Sequence, residues 1–211
     1  MKFIGITGGV GAGKSQILSY LAKKPDTEVM LADEIAHTLM QPGTQCYERI
    51  IEAFGAGICL PEGGFDRQKL AELIFSREEK RKQMNAIVHP AVKEYVKKRA
   101  ERERERGALK LLVLEAALLI EEHYDEICDE LWYIYTREDV RRERLIKDRG
   151  YSEEKIRQIF GSQLGEAEYR SACAAVIDNN GTIEDTLRRI DRILEGDGSE
   201  QEKHRGVIGI H

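Results

Sequence analysis

The fold of this chain follows from one stretch, Phe3-Ile4-Gly5-Ile6-Thr7-Gly8-Gly9-Val10-Gly11-Ala12-Gly13-Lys14-Ser15. An apolar run passes into a glycine-dense turn, and a helix-forming segment from Gln16 to Lys24 comes next. Gly8 and Gly13-Lys14-Ser15 fill the pattern G-x-x-x-x-G-K-[ST] of a phosphate-binding loop. A plain glycine-rich turn with a solvated lysine is the alternative. We favour the phosphate loop because every fixed position fits and the strand–loop–helix context is present.

The chemistry of this loop suits the phosphates of a nucleotide. Glycines allow positive φ, so that successive backbone N–H groups point at an anion, and the N-terminus of the following helix adds further unpaired N–H groups. Lys14 can reach the β- and γ-phosphates, and the Ser15 hydroxyl can ligate Mg²⁺. The sequence therefore predicts a nucleotide site formed by Gly8, Gly9, Val10, Gly11, Ala12, Gly13, Lys14, Ser15 and Gln16.

Composition narrows the class of protein. With 211 residues and a formal charge of −5, the chain can bury a substantial core and has no general attraction for nucleic acid or anionic membranes. Its four cysteines are scattered without a C-x-x-C pair, which favours reduced thiols. A strand begins almost at the N-terminus, leaving no room for a signal peptide, and no apolar run approaches the roughly 18 residues of a membrane span. We expect a soluble cytoplasmic protein.

Short apolar segments alternate with helical sequence. After the first strand, further strands are predicted at Glu28 to Ala32, Lys110 to Glu115, Glu130 to Thr136 and Ala174 to Asp178. Such continuous apolar strands indicate a parallel sheet covered by helices on both faces. The predicted fold is therefore α/β, the three-layer fold of P-loop NTPases, with a five-stranded parallel sheet, an all-helical insertion and a helical lid.

The predicted domains follow from this alternation. Residues 1–43 and 107–195 form the nucleotide-binding core, residues 44–106 form a helical insertion between strands two and three, and residues 196–211 form a flexible tail. Within the insertion, a helix from about Glu78 to Arg106 is expected to end or bend at His89-Pro90. Its last turns, from Ala100 to Gly107, are expected to be solvated and frayed, with pairs such as Glu101 with Arg104.

Three acidic residues follow predicted strands, at the sheet edge where open parallel sheets bind ligands. Asp33 could accept a proton from an attacking hydroxyl, or it could cap the helix that follows. Glu115 could ligate Mg²⁺, directly or through water, or it could be a solvated strand end. Asp178 is the third such residue.

Five arginines occur in one predicted helix, namely Arg137, Arg141, Arg142, Arg144 and Arg149. An arginine run is ordinarily a solvated face. Here it leaves a strand end in a phosphate-loop protein, and a second helix from Glu153 to Leu164 follows. Such a hairpin, within about residues 137–170, could close over the nucleotide as a lid and bring arginines to the moving phosphoryl group.

At this point the sequence resembles the dephospho-CoA kinase family, along residues 2 to about 194. The phosphate loop alone is shared by many families, whereas the other matching segments in this order and spacing are more restrictive. These segments are Leu31-Ala-Asp33 with Ile35-Ala36, Gln41-Pro-Gly43, Phe54-Gly55, His89-Pro90, Leu118-Leu119 with Glu121, Arg144, Gln163, and Val176-Ile-Asp-Asn-Asn-Gly181.

The resemblance implies ATP-dependent phosphorylation of the ribose 3′-hydroxyl of dephospho-CoA, giving CoA and ADP, with Mg²⁺ as cofactor. It places Asp33 next to that hydroxyl and assigns residues 44–106 to the CoA substrate. It makes Arg144 a lid arginine and puts the turn from Asn179 to Gly181 near the adenine. A monomer or weak homo-oligomer is expected.

Some positions depart from the family pattern. Ala117 stands where proline usually precedes Leu-Leu, and Asp148-Arg149 reverses the usual Arg-Asp order. Ala175 replaces a common aspartate, and Gln16 replaces the common threonine after Ser15. None of these departures removes a function of the phosphate loop or of Asp33, and they bear on the lid and the purine site more than on the activity.

Two alternatives keep the phosphate loop. One is another small-molecule or nucleoside monophosphate kinase of the same fold. The other is a non-catalytic nucleotide-binding regulator, such as a GTPase that works by changing shape. The Asn-Lys-x-Asp tetrapeptide with which GTPases recognise their base is absent from the sequence. Asp33 together with the lid arginines favours phosphoryl transfer.

Overall fold

The computed structural model describes residues 1–196, apart from the side chains of residues 75 and 76. The tail expected at 196–211 thus lies, from residue 197 onward, outside the described residues. The strands are β1 (Lys2–Thr7), β2 (Thr27–Leu31), β3 (Leu111–Glu115), β4 (Glu130–Tyr135) and β5 (Ala175–Asp178). The helices are α1 (Lys14–Leu21), α2 (Ala32–Leu39), α3 (Gln45–Phe54), α4 (Arg67–Ser76), α5 (Glu78–Arg106), α6 (Glu138–Arg149), α7 (Glu153–Gly161), α8 (Glu166–Ala172) and α9 (Ile183–Glu195).

The sheet has the strand order β2-β3-β1-β4-β5. The pairs β1–β3, β2–β3 and β4–β5 are parallel, and each connection between them contains at least one helix. The strands are apolar along their whole length because parallel strands are buried on both faces. The five-stranded parallel sheet expected from the sequence is confirmed.

The chain forms two compact units. The first comprises Met1–Ile6 and Ala22–Asp129, and it contains β2, β3, most of β1 and helices α2 to α5. Here α5 packs against α2, α3 and α4. The buried core of this unit includes Phe3, Ile4, Ile50, Val96, Leu112, Val113 and Leu114.

The second unit comprises Thr7–Leu21 and the described part of Glu130–His211. It holds the glycine-rich loop, helix α1, strands β4 and β5, and helices α6 to α9. Helix α1 packs against α9, and α6 packs against α7. Its buried core includes Ile17, Leu21, Trp132, Ile134, Leu145, Ile156, Ile177 and Ile190.

Helix α5 continues through His89-Pro90, so of the two expected outcomes, an end or a bend, the end is wrong. It runs for 29 residues from Glu78 to Arg106 with Pro90 inside it. An internal proline costs about 3 kcal/mol because it removes one backbone hydrogen bond and crowds the preceding turn. Packing offsets this cost, since Ile87, Val88 and Val92 on either side of the proline are buried.

The C-terminal end of α5 is also better ordered than predicted. Glu103 is only 2% exposed, and its carboxylate pairs with Arg99 at 2.9 Å. Gly107 adopts the left-handed conformation and its N–H closes the helix on the carbonyl of Glu103. Arg104, which was expected to pair with Glu101, instead pairs with Asp129 at 2.9 Å. The end is therefore capped and partly buried rather than frayed.

Candidate active site

The glycine-rich loop joins β1 to α1 through a chain of left-handed glycines. Gly8, Gly11 and Gly13 have φ values of 149°, 85° and 87°. Helix α1 begins at Lys14, so its first N–H groups lie at the end of the loop. The Lys14 ammonium donates a hydrogen bond to the carbonyl of Gly8 at 2.7 Å, which folds its side chain back over the loop. Ser15 is exposed in the first turn of α1.

Close neighbours leave little room for a side chain at several loop positions. A Cβ atom on Gly8 would lie 2.6 Å from the carbonyl oxygen of Ile134 in β4. A Cβ on Gly9 would lie 2.3 Å from the guanidinium carbon of Arg141, and one on Gly13 would lie 2.4 Å from the side-chain nitrogen of Asn179. The loop is thus pressed against β4, α6 and the segment after β5.

A buried polar cluster holds the middle of the loop at Ala12. The Asn179 side-chain amide donates to the carbonyl of Ala12 at 2.7 Å, and the Thr136 hydroxyl donates to the same oxygen at 3.1 Å. The Thr186 hydroxyl donates to Oδ1 of Asn179 at 2.8 Å. All three side chains are 2% exposed. The side chain of Asn179, expected near the adenine, therefore makes hydrogen bonds within the protein, while Gly181 lies in the turn that leads to α9.

Two of the five arginines approach the loop. Arg141 donates from Nε to the carbonyl of Val10 at 2.9 Å and from Nη2 to Oε1 of Gln163 at 2.6 Å. Burial lowers the pKa of the Arg141 guanidinium. Arg144, one turn further along α6, donates to the carbonyl of Asn179 at 3.0 Å. Its Nη1 would lie 3.5 Å from a Cβ atom on Gly13.

Two of the other arginines of the run pair with carboxylates. Arg137 pairs with Asp139, and Arg142 pairs with Glu138 and Glu153. Sequence reasoning gave Arg141 and Gln163 no specific role. The spacing of three residues between Arg141 and Arg144 places both on one face of a helix and could have separated them from Arg142.

Asp33 lies just after the end of a strand in the first unit, and Glu115 lies at the end of another. Strand β2 ends at Leu31, which occupies the N-cap position of α2, and Asp33 is an exposed residue in the first turn of that helix. The interpretation of Asp33 as the N-cap is therefore wrong. Glu115 ends β3, in register with Leu31 on one side and with Ile6 on the other. Asp178 accepts from the N–H of Asn180 at 2.8 Å and so stabilises a turn.

No group of three or more histidine, cysteine, aspartate or glutamate residues that could hold a metal ion occurs within residues 1–196. A Mg²⁺ ion that accompanies a nucleotide needs no such group, because it takes one or two protein ligands and completes its shell with phosphates and water. The exposed Ser15 hydroxyl at the start of α1 has the chemistry for one such ligand.

The segment that follows Glu115 is fastened to α5. His89 Nδ1 lies 2.6 Å from Oε1 of Glu122. Lys93, one turn further along α5, donates to the carbonyls of Glu122 and His123 at 2.9 and 3.0 Å and pairs with Glu126 at 2.9 Å. The His89-Pro90 motif therefore positions the chain after β3.

Comparison with known proteins assigns the chain to a protein family. The family model described as dephospho-CoA kinase matches residues 2–185. The chain belongs to the dephospho-CoA kinase family. A dephospho-CoA kinase of Geobacillus kaustophilus is 39% identical over 193 residues, covering 91% of this chain and 94% of that protein. One of Geobacter sulfurreducens is 36% identical, covering 92% and 97% of the two chains.

Solved structures share the fold of this chain. A Thermus thermophilus crystal structure matches with a TM-score of 0.71 and 27% identity, covering 92% of this chain and 97% of the other. A dephospho-CoA kinase from Campylobacter jejuni matches with a TM-score of 0.66 and 22% identity, over 93% and 100% of the two chains. A shikimate kinase from Acinetobacter baumannii, at 17% identity and a TM-score of 0.51, shares the fold.

Family membership makes the chain an enzyme, a P-loop kinase of coenzyme A biosynthesis, as the resemblance implied. Kinases of this family take the phosphoryl group from ATP and act on a small molecule. Among the described residues, no helix is both long and apolar enough to cross a membrane.

Proposed function

We propose that this chain transfers the γ-phosphoryl group of ATP to the ribose 3′-hydroxyl of dephospho-CoA and releases CoA and ADP, in the cytoplasm. One observation carries the proposal for this family member. Cationic groups converge on the loop, with Lys14 folded over Gly8, Arg144 beside Gly13 and the N-terminus of α1 behind them. This arrangement suits the terminal phosphates of a nucleotide, where the charge of the transition state is concentrated.

Each loop residue has a proposed role toward ATP. The Lys14 ammonium and backbone N–H groups within residues 8–16 bind the β- and γ-phosphates, except the N–H groups of Val10, Ala12 and Gln16, which donate within the protein. Mg²⁺, held by Ser15 and by Glu115 directly or through water, would neutralise charge on the phosphate oxygens. Arg144 stabilises the transferring group. The turn from Asn179 to Gly181 contacts the adenine through groups other than the Asn179 side chain, since that side chain binds Ala12 and Thr186.

Asp33 is proposed as the general base. Its carboxylate is exposed and is not used as a helix cap, which leaves its oxygens open to an acceptor. As the 3′-oxygen of the ribose attacks the γ-phosphorus, the proton of that hydroxyl passes to Asp33. The bond between the phosphorus and the β,γ-bridging oxygen breaks, and that oxygen leaves with ADP.

The division of the chain is part of the proposal. Residues 1–43 and 107–195 would form the nucleotide-binding core with its lid at about 137–170. Residues 44–106, which contain α3, α4 and α5, would bind the CoA substrate. The enzyme would act as a monomer or a weak homo-oligomer.

The substrate assignment is tested by a coupled assay with MgATP and a panel of acceptors, followed by mass analysis of the product. We expect phosphorylation of dephospho-CoA at the 3′-position, well above that of AMP or shikimate. Equal turnover of AMP or shikimate would contradict the proposed acceptor. Nucleotide binding without transfer to any acceptor would contradict catalysis.

The role of Asp33 is tested by Asp33→Asn, with Glu34→Gln as the matched control in the same exposed first turn of α2. Loss of a general base lowers kcat by about 10²–10⁴-fold. We expect that loss in Asp33→Asn with ATP affinity retained, and wild-type kinetics in Glu34→Gln. If ATP binding and turnover fall together, Asp33 is structural rather than catalytic.

A further inference from the structure

We propose that Arg141 and Gln163 are positioning residues that hold Val10 and thereby keep the phosphate loop in its ATP-binding conformation. Gln163 follows the C-terminal end of α7, and Arg141 lies in α6, so both belong to the predicted lid. The inference rests on the proposed function only in taking the loop as the site of ATP. It makes the lid a support for the loop as well as a cover for the nucleotide.

Both polar backbone groups of Val10 are bonded to these side chains. The carbonyl of Val10 accepts from Arg141 Nε at 2.9 Å, and the N–H of Val10 donates to Oε1 of Gln163 at 3.4 Å. Arg141 Nη2 also donates to the same oxygen of Gln163 at 2.6 Å. The three residues therefore form a closed ring of hydrogen bonds, in which each member fixes the other two.

The guanidinium of Arg141 has little freedom to leave this ring. One of its faces lies over the ring of Phe160, 4.3 Å from the centroid. Its other neighbour is Gly9, where a Cβ atom would lie only 2.3–2.5 Å from the guanidinium atoms. A planar cation stacked on an aromatic ring and bonded through two nitrogens is held in orientation as well as in place.

Arg144 provides a contrast on the same helix face. Arg144 donates to the carbonyl of Asn179 and lies beside Gly13, at the end of the loop where α1 begins. Arg141 lies at the other end, and its Nε and Nη2 are both bonded to protein atoms. We therefore divide the two roles, with Arg144 for the transferring phosphoryl group and Arg141 for the shape of the loop.

The consequence is a specific kinetic signature. Without the ring at Val10, the loop spends part of its time in conformations that do not bind ATP, and the apparent affinity falls by that fraction. Once ATP is bound, its phosphates hold the loop. Loss of the ring should therefore lower the affinity for ATP more than it lowers the rate of the chemical step.

The test compares Arg141→Gln, Arg141→Lys and Gln163→Ala with the wild-type enzyme. We expect each variant to bind MgATP about tenfold more weakly by titration calorimetry, the effect of losing one charged hydrogen bond. At saturating ATP, kcat should fall by less than the affinity does. Arg141→Lys should not rescue binding, because a lysine keeps the charge but cannot make both bonds. The double variant Arg141→Gln/Gln163→Ala should bind ATP no more weakly than the weaker-binding of the two single variants, since both residues act on Val10.

Arg157→Gln is the matched control. Arg157 is an exposed arginine of α7 whose Nε bonds only within its own helix, to the carbonyl of Glu153. This variant should bind ATP as the wild type does. Hydrogen exchange of the nucleotide-free enzyme provides a second measurement, in which the peptide containing residues 8–13 should exchange faster in Arg141→Gln and Gln163→Ala but not in Arg157→Gln.

Three results would overturn the inference. ATP affinity and loop exchange that stay unchanged in both Arg141→Gln and Gln163→Ala would remove the positioning role. A large loss of kcat at unchanged ATP affinity would place Arg141 on the transferring phosphoryl group instead. If Arg141→Gln fails to fold, Gln163→Ala decides alone, because its side chain is only partly buried. None of the binding or exchange measurements requires dephospho-CoA, so a wrong acceptor would not affect them.

Discussion

The side-chain amide of Asn179 donates a hydrogen bond across 2.7 Å to the backbone carbonyl of Ala12, 167 residues earlier in the chain. Asn179 directly follows β5, and Ala12 lies in the glycine-rich loop. Because Asn179 is 2% exposed and its Oδ1 accepts from Thr186, the amide is oriented from both sides. The glycine-rich loop is thus held by a residue of the segment that directly follows β5.

Asn179→Ala tests this connection. The change removes the nearest of three acceptors of the Thr186 hydroxyl, whose other two are the carbonyls of Asp178 and Thr182 at 3.3 Å. It also removes one of the two donors at the carbonyl of Ala12. We expect the free energy of unfolding to fall by about 2 kcal/mol, the effect of losing two buried hydrogen bonds. Urea denaturation measures the loss. Asn180→Ala, at a half-buried neighbour, is the control and should lower the free energy of unfolding by less. Equal losses would mean that the bond to Ala12 does not contribute more to stability than the bonds of Asn180.

Gly8→Ala tests the close approach of the loop to β4. The new Cβ would lie 2.6 Å from the Ile134 carbonyl oxygen, and Gly8 has a φ of 149°, which side chains other than glycine rarely adopt. Because the obstacle is strand backbone, we expect a loss of about 2–4 kcal/mol together with weaker ATP binding. Gly161→Ala is the control, since nothing lies within 4 Å of a Cβ there. Calorimetric melting of both variants checks the prediction, which fails if Gly8→Ala melts with the wild type.

Much of this architecture could be predicted from local patterns. The loop motif and the five apolar strands depend on residues next to one another in sequence, and the strands lie within a residue or two of their predicted ends. The sequence predicts the hairpin of α6 and α7 because Gly150 separates two helical stretches. Gly150 adopts the left-handed conformation at the end of α6.

The missed features depend on contacts between distant parts of the chain. Pro90 stays inside α5 because Ile87, Val88 and Val92 are buried around it, and the local cost of a proline gives no sign of that packing. The helix end at Glu103 was expected to be solvated, yet it is buried beside Arg99, which in turn bonds to Glu28 of β2. The bond from Asn179 to Ala12 and the ring around Val10 likewise join residues more than 130 positions apart.

Lys93→Met tests the attachment of the segment after β3 to α5. The Lys93 ammonium bonds to two carbonyls and to the carboxylate of Glu126, and one of those carbonyls belongs to His123, a residue at the positive φ of 53°. We expect the free energy of unfolding to fall by about 1–3 kcal/mol, because the substitution removes the bonds of a half-buried cation to three partners.

Lys98→Met is the matched control on the same helix. Lys98 pairs with Glu94 at 3.1 Å, and both side chains are more than half exposed. Such a pair contributes about 0.5 kcal/mol or less. Chemical denaturation of the two variants separates a positioning contact from a surface pair; losses of equal size would contradict the role given to Lys93.

Tyr133→Phe tests the alkaline limit of stability. Tyr133 is 3% exposed and stacks on Tyr169 with ring centroids 4.6 Å apart, and burial raises the pKa of its hydroxyl to about 12. Between pH 10 and 12 the unfolded chain has lost this proton while the folded protein keeps it, so stability falls as pH rises. Each such tyrosine contributes a slope of about 1 kcal/mol per pH unit in that window.

We expect the stability of Tyr133→Phe to fall less steeply with pH by that amount, as measured by urea denaturation at pH 9, 10 and 11. A Tyr133→Phe slope equal to the wild type would mean that the hydroxyl ionises as readily in the folded protein as in the unfolded chain.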